Sequence, residues 1–368
     1  MDSVAVDVGS HFVSLCKWDG RRLRVEKSPL AADGAIDWAD WTRLLEPARH
    51  YQAVVRCSTE GIEEAARRHG ARSVRLTRGG SSPDPAFAAV RQAADRHRQA
   101  YVPFIEQGAS RCRFGVLDRR GRTIAFDDRP IAETPPALVG ELLGRSMASL
   151  PREEPQDPAV QGPILVAYGG AGPRIAAEVA CACGLTRVLV PDHAGALAAT
   201  GMLIADIVLE FREEVEPAPP DPASMRRGFG GLMDHACRQV ILEGYDLDDT
   251  VAERSAEISL SGGAGLLVVD CETMTDAAEL SARFRRMHQE RFGHADSSAE
   301  MLVRALRLRV TIHTPKPSLP GGEWRSFQSG QPLICGPATL RERHTIVHLP
   351  QGWRAELSAY SGLLLEKT

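Results

Sequence analysis

Short apolar blocks recur along the chain, and glycine, proline or acidic residues close most of them. Ser3 to Gly9 (SVAVDVG) predicts a strand, Phe12 to Trp18 a second, Asp19-Gly20 a hairpin turn and Arg22 to Glu26 a third. Tyr51 to Arg56 and Ser73 to Leu76 predict strands around a helix from Thr59 to about His69, with Thr59 suited to the N-cap. Gly79 to Pro85 (GGSSPDP) reads as a linker, and Ala86 to His97 as a helix with Phe87, Val90 and Ala94 on one face. The same order then returns: a strand at Tyr101 to Ile105, a turn from Glu106 to Arg111, and a hairpin of Cys112 to Leu117 with Arg122 to Phe126. The two openings, residues 3–26 and 101–126, resemble each other as duplicated halves of one fold would.

After a helix from Pro136 to about Leu150 and a polar loop to Gly162 comes the most informative stretch, Pro163 to Leu209. Ile164 to Ala167 predicts a strand, Gly169, Gly170 and Gly172 a turn, and Pro173 opens a helix that keeps helical spacing (Ile175, Val179, Ala182) up to Gly184. A strand at Val188 to Val190 and a second helix from about Ala194 follow. A strand feeding a glycine turn at a helix N-terminus aims backbone N–H groups and the helix dipole at a phosphate or nucleotide. Glycines there adopt positive φ and leave room for the ligand. The same pattern also occurs as plain packing.

Farther on, Glu213 to Pro222 (EEVEPAPPDP) reads as a proline-stiffened acidic linker. Met225 to Leu242 predicts a helix, and Arg254 to Leu260 and Leu266 to Cys271 predict strands around Gly262-Gly263. A helix from Asp276 to Phe292 carries Leu280, Phe284, Met287 and His288 on one face, and Leu302 to Ile312 alternates as a strand.

The chain has 368 residues, room for two or three domains, with ordinary apolar and charged fractions. A net charge of −4 and the lack of a basic block argue against a nucleic-acid partner. No apolar stretch is long enough to span a bilayer, and MDSVAVDVG lacks the positive start of a signal peptide, so a cytoplasmic protein is expected. The eight cysteines form no CxxC pair and lie mostly in apolar contexts, which predicts buried, reduced thiols.

AYGGAGP, a helix, and then VLVPDHAGALAATGMLIAD resemble the signature of the hydantoinase A/5-oxoprolinase family. The resemblance implies an α/β, duplicated actin/Hsp70/sugar-kinase-like ATPase fold with a C-terminal α+β module. The expected divisions are a first lobe at 1–80, a second at 81–212 and a C-terminal module at 223–368. It covers about two thirds of the chain, strongly over residues 163–210, moderately over 276–368 and loosely over 1–126. Typical members are much longer, which implies a shortened form. The family's first phosphate loop is close to VDVGGTFTDL; here VDVGSHFVSL keeps Asp7, Gly9, Phe12 and Leu15 but puts Ser10, His11, Val13 and Ser14 where a glycine, two threonines and an aspartate stand. The second loop is similar to DVGGTSTDVAL. Setting Gly108 and Ser110 on its Gly and Thr brings Glu106 near the first Asp and Arg113 near the last, and an arginine cannot be a general base. The last segment, with Pro350, Gly352 and Trp353, resembles the family's closing β-module; Trp353 suits core packing better than substrate contact.

What the resemblance implies is ATP- and Mg²⁺-dependent activation of a cyclic amide or related carbonyl for hydrolysis, or carboxylation of a ketone, beside a second subunit or in a homo-oligomer. On that reading Asp7 is catalytic and a metal ligand, Glu106 is the second catalytic carboxylate, and Gly9, Ser10, Gly108, Ser110, Gly169, Gly170 and Gly172 bind the nucleotide. Plainer readings stand beside these. Asp7 also suits a strand-capping turn, Glu106 a solvated strand end, and His193 a helix cap rather than a ligand. The missing hydroxyls and carboxylate fit a non-catalytic nucleotide-binding or scaffolding paralogue. The meander VDVGSHFVSLCKWDGRRL also resembles type III pantothenate kinases, which lack the C-terminal module.

Overall fold

A computed structural model of the chain describes residues 3–8, 12–18, 21–30, 51–56, 71–76, 85–95, 97, 99–119, 121–150, 162–262, 265–271, 277–293, 299–314, 324, 327, 333–358 and 362–368. The expected helix at Thr59 to His69 lies outside these residues, as do Gly9 and Ser10. Contacts divide the chain into a unit of residues 1–205 with 316–368 and a unit of residues 206–315.

The larger unit starts with the expected meander: β1 (Ser3–Val8), β2 (Phe12–Trp18) and β3 (Leu23–Pro29) pair antiparallel. Strands β4 (Tyr51–Arg56) and β5 (Ala71–Leu76) extend the sheet in parallel on the other side of β1, giving the order β3-β2-β1-β4-β5. Val4, Ala5 and Val6 are wholly buried, as a central strand covered on both faces requires.

Helix α1 (Pro85–Asp95) leads into β6 (Val102–Gln107), β7 (Arg111–Leu117) and β8 (Thr123–Pro130), a second antiparallel meander. Helix α2 (Pro136–Ala148) precedes β9 (Leu165–Tyr168), α3 (Gly172–Ala182) and β10 (Arg187–Val190). β9 lies parallel to β6, and β10 parallel to β9. The order β8-β7-β6-β9-β10 therefore repeats that of the first sheet, strand for strand, and the duplication is real. After a single 3-10 turn at Ala194–Ala196 comes α4 (Leu197–Ile204), so the helix expected from Ala194 is shorter and starts later. Ala196, Ala199, Met202 and Leu203 press on Ala5, Cys16 and Val25 of the first sheet, and α4 also packs on α1.

The smaller unit is an antiparallel sheet of β11 (Ile207–Ala218), β12 (Thr250–Leu260), β13 (Leu267–Asp270) and β14 (Met301–Ile312), in the order β11-β14-β12-β13. Helices α5 (Pro222–Leu242) and α6 (Ala277–Phe292) pack on it, through a core that includes Phe229, Leu232, Leu280 and Phe284. His288 is buried beside Phe284 and Phe292, so it belongs to this packing. The acidic linker expected at Glu213 to Pro222 is instead mostly strand. Arg212, Glu213 and Glu214 pair with β14, and the ladder is irregular only between Glu214 and Ala218. An edge strand tolerates proline and keeps acidic side chains in water, so linker-like composition does not prevent pairing. Asp221 then caps α5, accepting from Ser224 N at 2.9 Å.

The remaining strands are β15 (Leu333–Cys335), β16 (Ala338–Glu342), β17 (Thr345–Leu349), β18 (Trp353–Ser358) and β19 (Gly362–Lys367). β19 pairs antiparallel with β10, and β18 and β15 follow it, making the second sheet eight-stranded. β16 and β17 form a separate hairpin that packs on α3. β15, β18 and β19 thus extend the sheet of the second meander, and residues 316–368 group by contact with 1–205, apart from 206–315. Leu363 and Leu365 are fully buried there, an apolar face that β10 covers. Trp353 is in the core, as expected. Cys16, Cys112 and Cys271 are buried, whereas Cys181 and Cys335 are exposed: Cys181 falls on the outer face of α3. No helix among the described residues is long and apolar enough to cross a membrane.

Candidate functional site

The register of the first meander sets Asp7 opposite Ser14 and Ser14 opposite Lys27, a row of three side chains on one sheet face. Farther along that face, Ala5, Cys16 and Val25 meet α4. Lys27 ends the row. Its Nζ donates a 3.0 Å hydrogen bond to the carbonyl oxygen of Gly195 and stands 5.3 Å from the centroid of the Phe12 ring. Burial lowers the pKa of this ammonium, and the negative charge of Asp7 works against that shift.

The carboxyl ends of β6 and β9 lie side by side, with Glu106 opposite Tyr168. The glycine corner follows β9 and is held to the β6 end by a 2.9 Å bond from Ala171 N to Gln107 O. Its three glycines have different duties. Gly169 has φ +87°, and a Cβ there would stand 2.6 Å from the carbonyl oxygen of Gln107. A Cβ at Gly172 would stand 3.1 Å from the amide nitrogen of Gln107. Both are small because backbone meets backbone. Gly170 is exposed, and among the described residues the atom near its missing Cβ is Lys27 Nζ, at 3.5 Å. It therefore leaves backbone open to a ligand.

Glu106 belongs to a charge ladder across three strands. Its Oε2 accepts from Arg113 Nη1 at 3.3 Å, Arg113 Nε reaches Asp128 at 3.4 Å, and Arg111 Nε reaches the same carboxylate at 2.6 Å. Direct opposition of Glu106, Arg113 and Asp128 in the register produces this ladder. Gly108 and Ser110 are exposed in the β6–β7 turn, which closes through Gly108 N to Arg111 O at 3.0 Å.

Sequence reasoning missed a third contribution, the tip of the β16–β17 hairpin. Thr345 Oγ1 donates to Gly169 O at 3.2 Å, and His344 Nε2 lies 3.4 Å from Val25 O. A side chain at Gly195 would overlap the backbone of His344. Glu342 is buried and accepts the His193 N–H at 2.7 Å, while its second oxygen, Oε2, has no hydrogen-bond partner among the described residues. Burial, together with Asp192, pushes its carboxyl up to about 7, against the pull of the His193 bond. His193 itself has φ 58°, a left-handed conformation that side chains rarely adopt. It sits before the 3-10 turn, but its side chain makes no cap. The only sequence signal for the tip was the buried alternation around a polar Glu-Arg-His-Thr turn.

The structure thus brings Asp7, Lys27, Gly169, Gly170, Gly172 and the 193–195 turn together around one corner, with the 106–111 turn on the adjoining strand end. Gly9 and Ser10 follow Asp7 in sequence, outside the described residues. The open backbone at Gly170 and the cation beside it suit the phosphates of a nucleotide. A magnesium ion on Asp7 suits the described residues poorly. The neighbour across Ser14 is an ammonium, and no group of three or more His, Cys, Asp or Glu among the described residues is arranged to hold a metal.

These features define an α/β unit whose two main sheets share a duplicated strand order, with a glycine corner where the second meets the first. Comparison with known proteins agrees. The family described as Hydantoinase/oxoprolinase matches residues 155–211. The 5-oxoprolinase of Saccharomyces cerevisiae is 24% identical over 149 residues, covering 40% of this chain and 12% of that protein. The 5-oxoprolinase 1 of Arabidopsis thaliana is 25% identical over 195 residues, covering 51% of this chain and 14% of that one. The chain thus matches a small fraction of the length of these relatives. Among solved structures, nucleotide-free acetone carboxylase aligns over 100% of this chain and 99% of its own, with a TM-score of 0.64 and 11% identity. The ATP-dependent caprolactamase of Pseudomonas jessenii aligns over 90% of this chain and 69% of its own, with a TM-score of 0.55 and 13% identity. Over residues 155–211 the chain is thus similar to the hydantoinase/oxoprolinase family, as a partial and divergent match, and its fold is similar to those of acetone carboxylase and caprolactamase.

Proposed function

We propose that this chain binds ATP at the glycine corner and uses it to activate a cyclic amide or related carbonyl for hydrolysis or carboxylation, together with a second subunit or a further copy of itself. The observation that carries the reading is Gly170, an exposed glycine at a strand end with a lysine ammonium directly over it. Support also comes from the kinds of protein the chain resembles: acetone carboxylase and caprolactamase are both described as ATP-dependent.

On this reading the backbone of Gly169, Gly170 and Gly172 lines the nucleotide, and Lys27, Gly9, Ser10, Gly108 and Ser110 face its phosphates. When bound, ATP supplies the phosphoryl group that makes a carbonyl oxygen a leaving group. Asp7 and Glu106 are the carboxylates available to orient or deprotonate an attacking water. Glu106 is held by Arg113 at 3.3 Å, so its task is to position rather than to roam. A non-catalytic, nucleotide-binding paralogue is the second reading, and the commitment of Glu106 to a strand ladder favours it.

Equilibrium binding of ATP, followed by phosphate release with candidate lactams and ketones, tests the proposal. Binding with substrate-stimulated release is the expected result. Binding without release under any substrate moves the chain to the second reading, and no nucleotide binding at all overturns both.

A further inference from the structure

We propose that the ammonium of Lys27 is the built-in counter-cation of the glycine corner, so that this chain holds the polyphosphate of a nucleotide without a divalent metal ion. The inference rests on the nucleotide reading above and deepens it. The row Asp7–Ser14–Lys27 contains one carboxylate, one hydroxyl and one cation. A divalent ion at Asp7 would share that row with a positive charge, and the like-charge contact would weaken its binding. The cation is already in place.

Three surroundings hold the lysine where an anion would need it. Gly195 O accepts one of its three N–H donors, and among the described residues that is the hydrogen bond the ammonium makes. Two donors remain for phosphate oxygens. The Phe12 ring flanks the ammonium on one side, and the missing side chain of Gly170 leaves space at 3.5 Å on another. The 193–195 turn that supplies the Gly195 carbonyl is itself held by Gly169 N to Ala194 O at 2.8 Å and by the Glu342 bond to His193. Lys27 is thus positioned by the fold, not free at a surface. Burial disfavours its charged form, and a bound anion would restore what burial takes away. Lysine serves here as a point charge on the phosphates.

The test is ATP affinity in excess EDTA and in excess magnesium, by calorimetry on the full chain, with wild type, Lys27→Met and Lys27→Arg. Thermal melting without nucleotide checks that each variant folds. Wild type should bind with affinities that agree within about threefold in the two buffers. Lys27→Met should lose at least about tenfold in EDTA, the worth of one charge-assisted hydrogen bond, and Lys27→Arg should keep most of the affinity. Wild-type binding that needs magnesium would overturn the inference while leaving the nucleotide reading intact. So would a folded Lys27→Met that binds like wild type. Absence of binding in both buffers would sink the nucleotide reading itself. Should Lys27→Met fail to fold, the wild-type comparison and Lys27→Arg decide alone.

Discussion

The carboxylate of Glu342 accepts a 2.7 Å hydrogen bond from the backbone N–H of His193, a partner 149 residues away and the described non-glycine residue with positive φ. A buried acid thus pins a strained turn whose next-but-one residue, Gly195, takes the hydrogen bond of Lys27. One oxygen of that acid is satisfied; the other is buried with no hydrogen-bond partner among the described residues.

This acid makes stability depend on pH. Its folded pKa, about 7, lies above the ordinary 4.5, so folding favours the protonated form. The stabilisation is full below pH ~4.5 and is lost as pH rises toward ~7, to the extent of at most about 3 kcal/mol. Glu342→Gln keeps an acceptor for His193 and cannot ionise. Urea unfolding across that range should show a fall for wild type and a flatter line for the variant. Parallel slopes would show that the carboxyl is not the titrating group.

Strain at His193 makes the opposite substitutions informative. His193→Gly removes the Cβ penalty of the left-handed region and should melt at or above the wild type, by up to about 1 kcal/mol. His193→Val puts a β-branched residue there and should lose at least as much. If glycine destabilises instead, the imidazole itself holds the turn.

The glycines of the corner separate binding from folding. Gly170→Val should weaken ATP binding by at least about tenfold while melting close to wild type, because among the described residues its Cβ meets the movable end of Lys27. Gly169→Ala should instead cost about 2 kcal/mol or more of stability, since its Cβ would press on Gln107 O at 2.6 Å and its φ is +87°. Equal affinity in Gly170→Val would reduce the corner to a packing device.

Glu106 distinguishes an enzyme from a binding module. If it serves as a base or aims the water, Glu106→Gln should slow phosphate release by about a hundredfold or more with ATP affinity nearly unchanged. A variant that turns over like wild type would leave Glu106 as a strand-ladder residue paired with Arg113.

Much of the fold and part of the site were legible before any coordinates. The strands at Ser3, Phe12, Tyr101 and Ile164, the glycine turn and the helix behind Pro173 are local patterns of period and punctuation, and local patterns are written in adjacent residues. So was the likeness of the two meanders, which the matching strand orders bear out. The segment 213–222 misled because composition reports solvent exposure, and an exposed edge strand has the same composition as a linker.

Amino-acid order alone determined where strands and turns begin, which glycines stand at the corner and which family the stretch around it resembles. Tertiary structure decided which side chains face that corner. Lys27 enters through the register of three strands, Gly195 through a turn after β10, and Glu342, His344 and Thr345 through a hairpin near the chain's end. Those meetings depend on packing between residues up to 319 positions apart, as with His344 and Val25. Periodicity reports a residue's own face and not the partner that will cover it, so no local pattern could announce them.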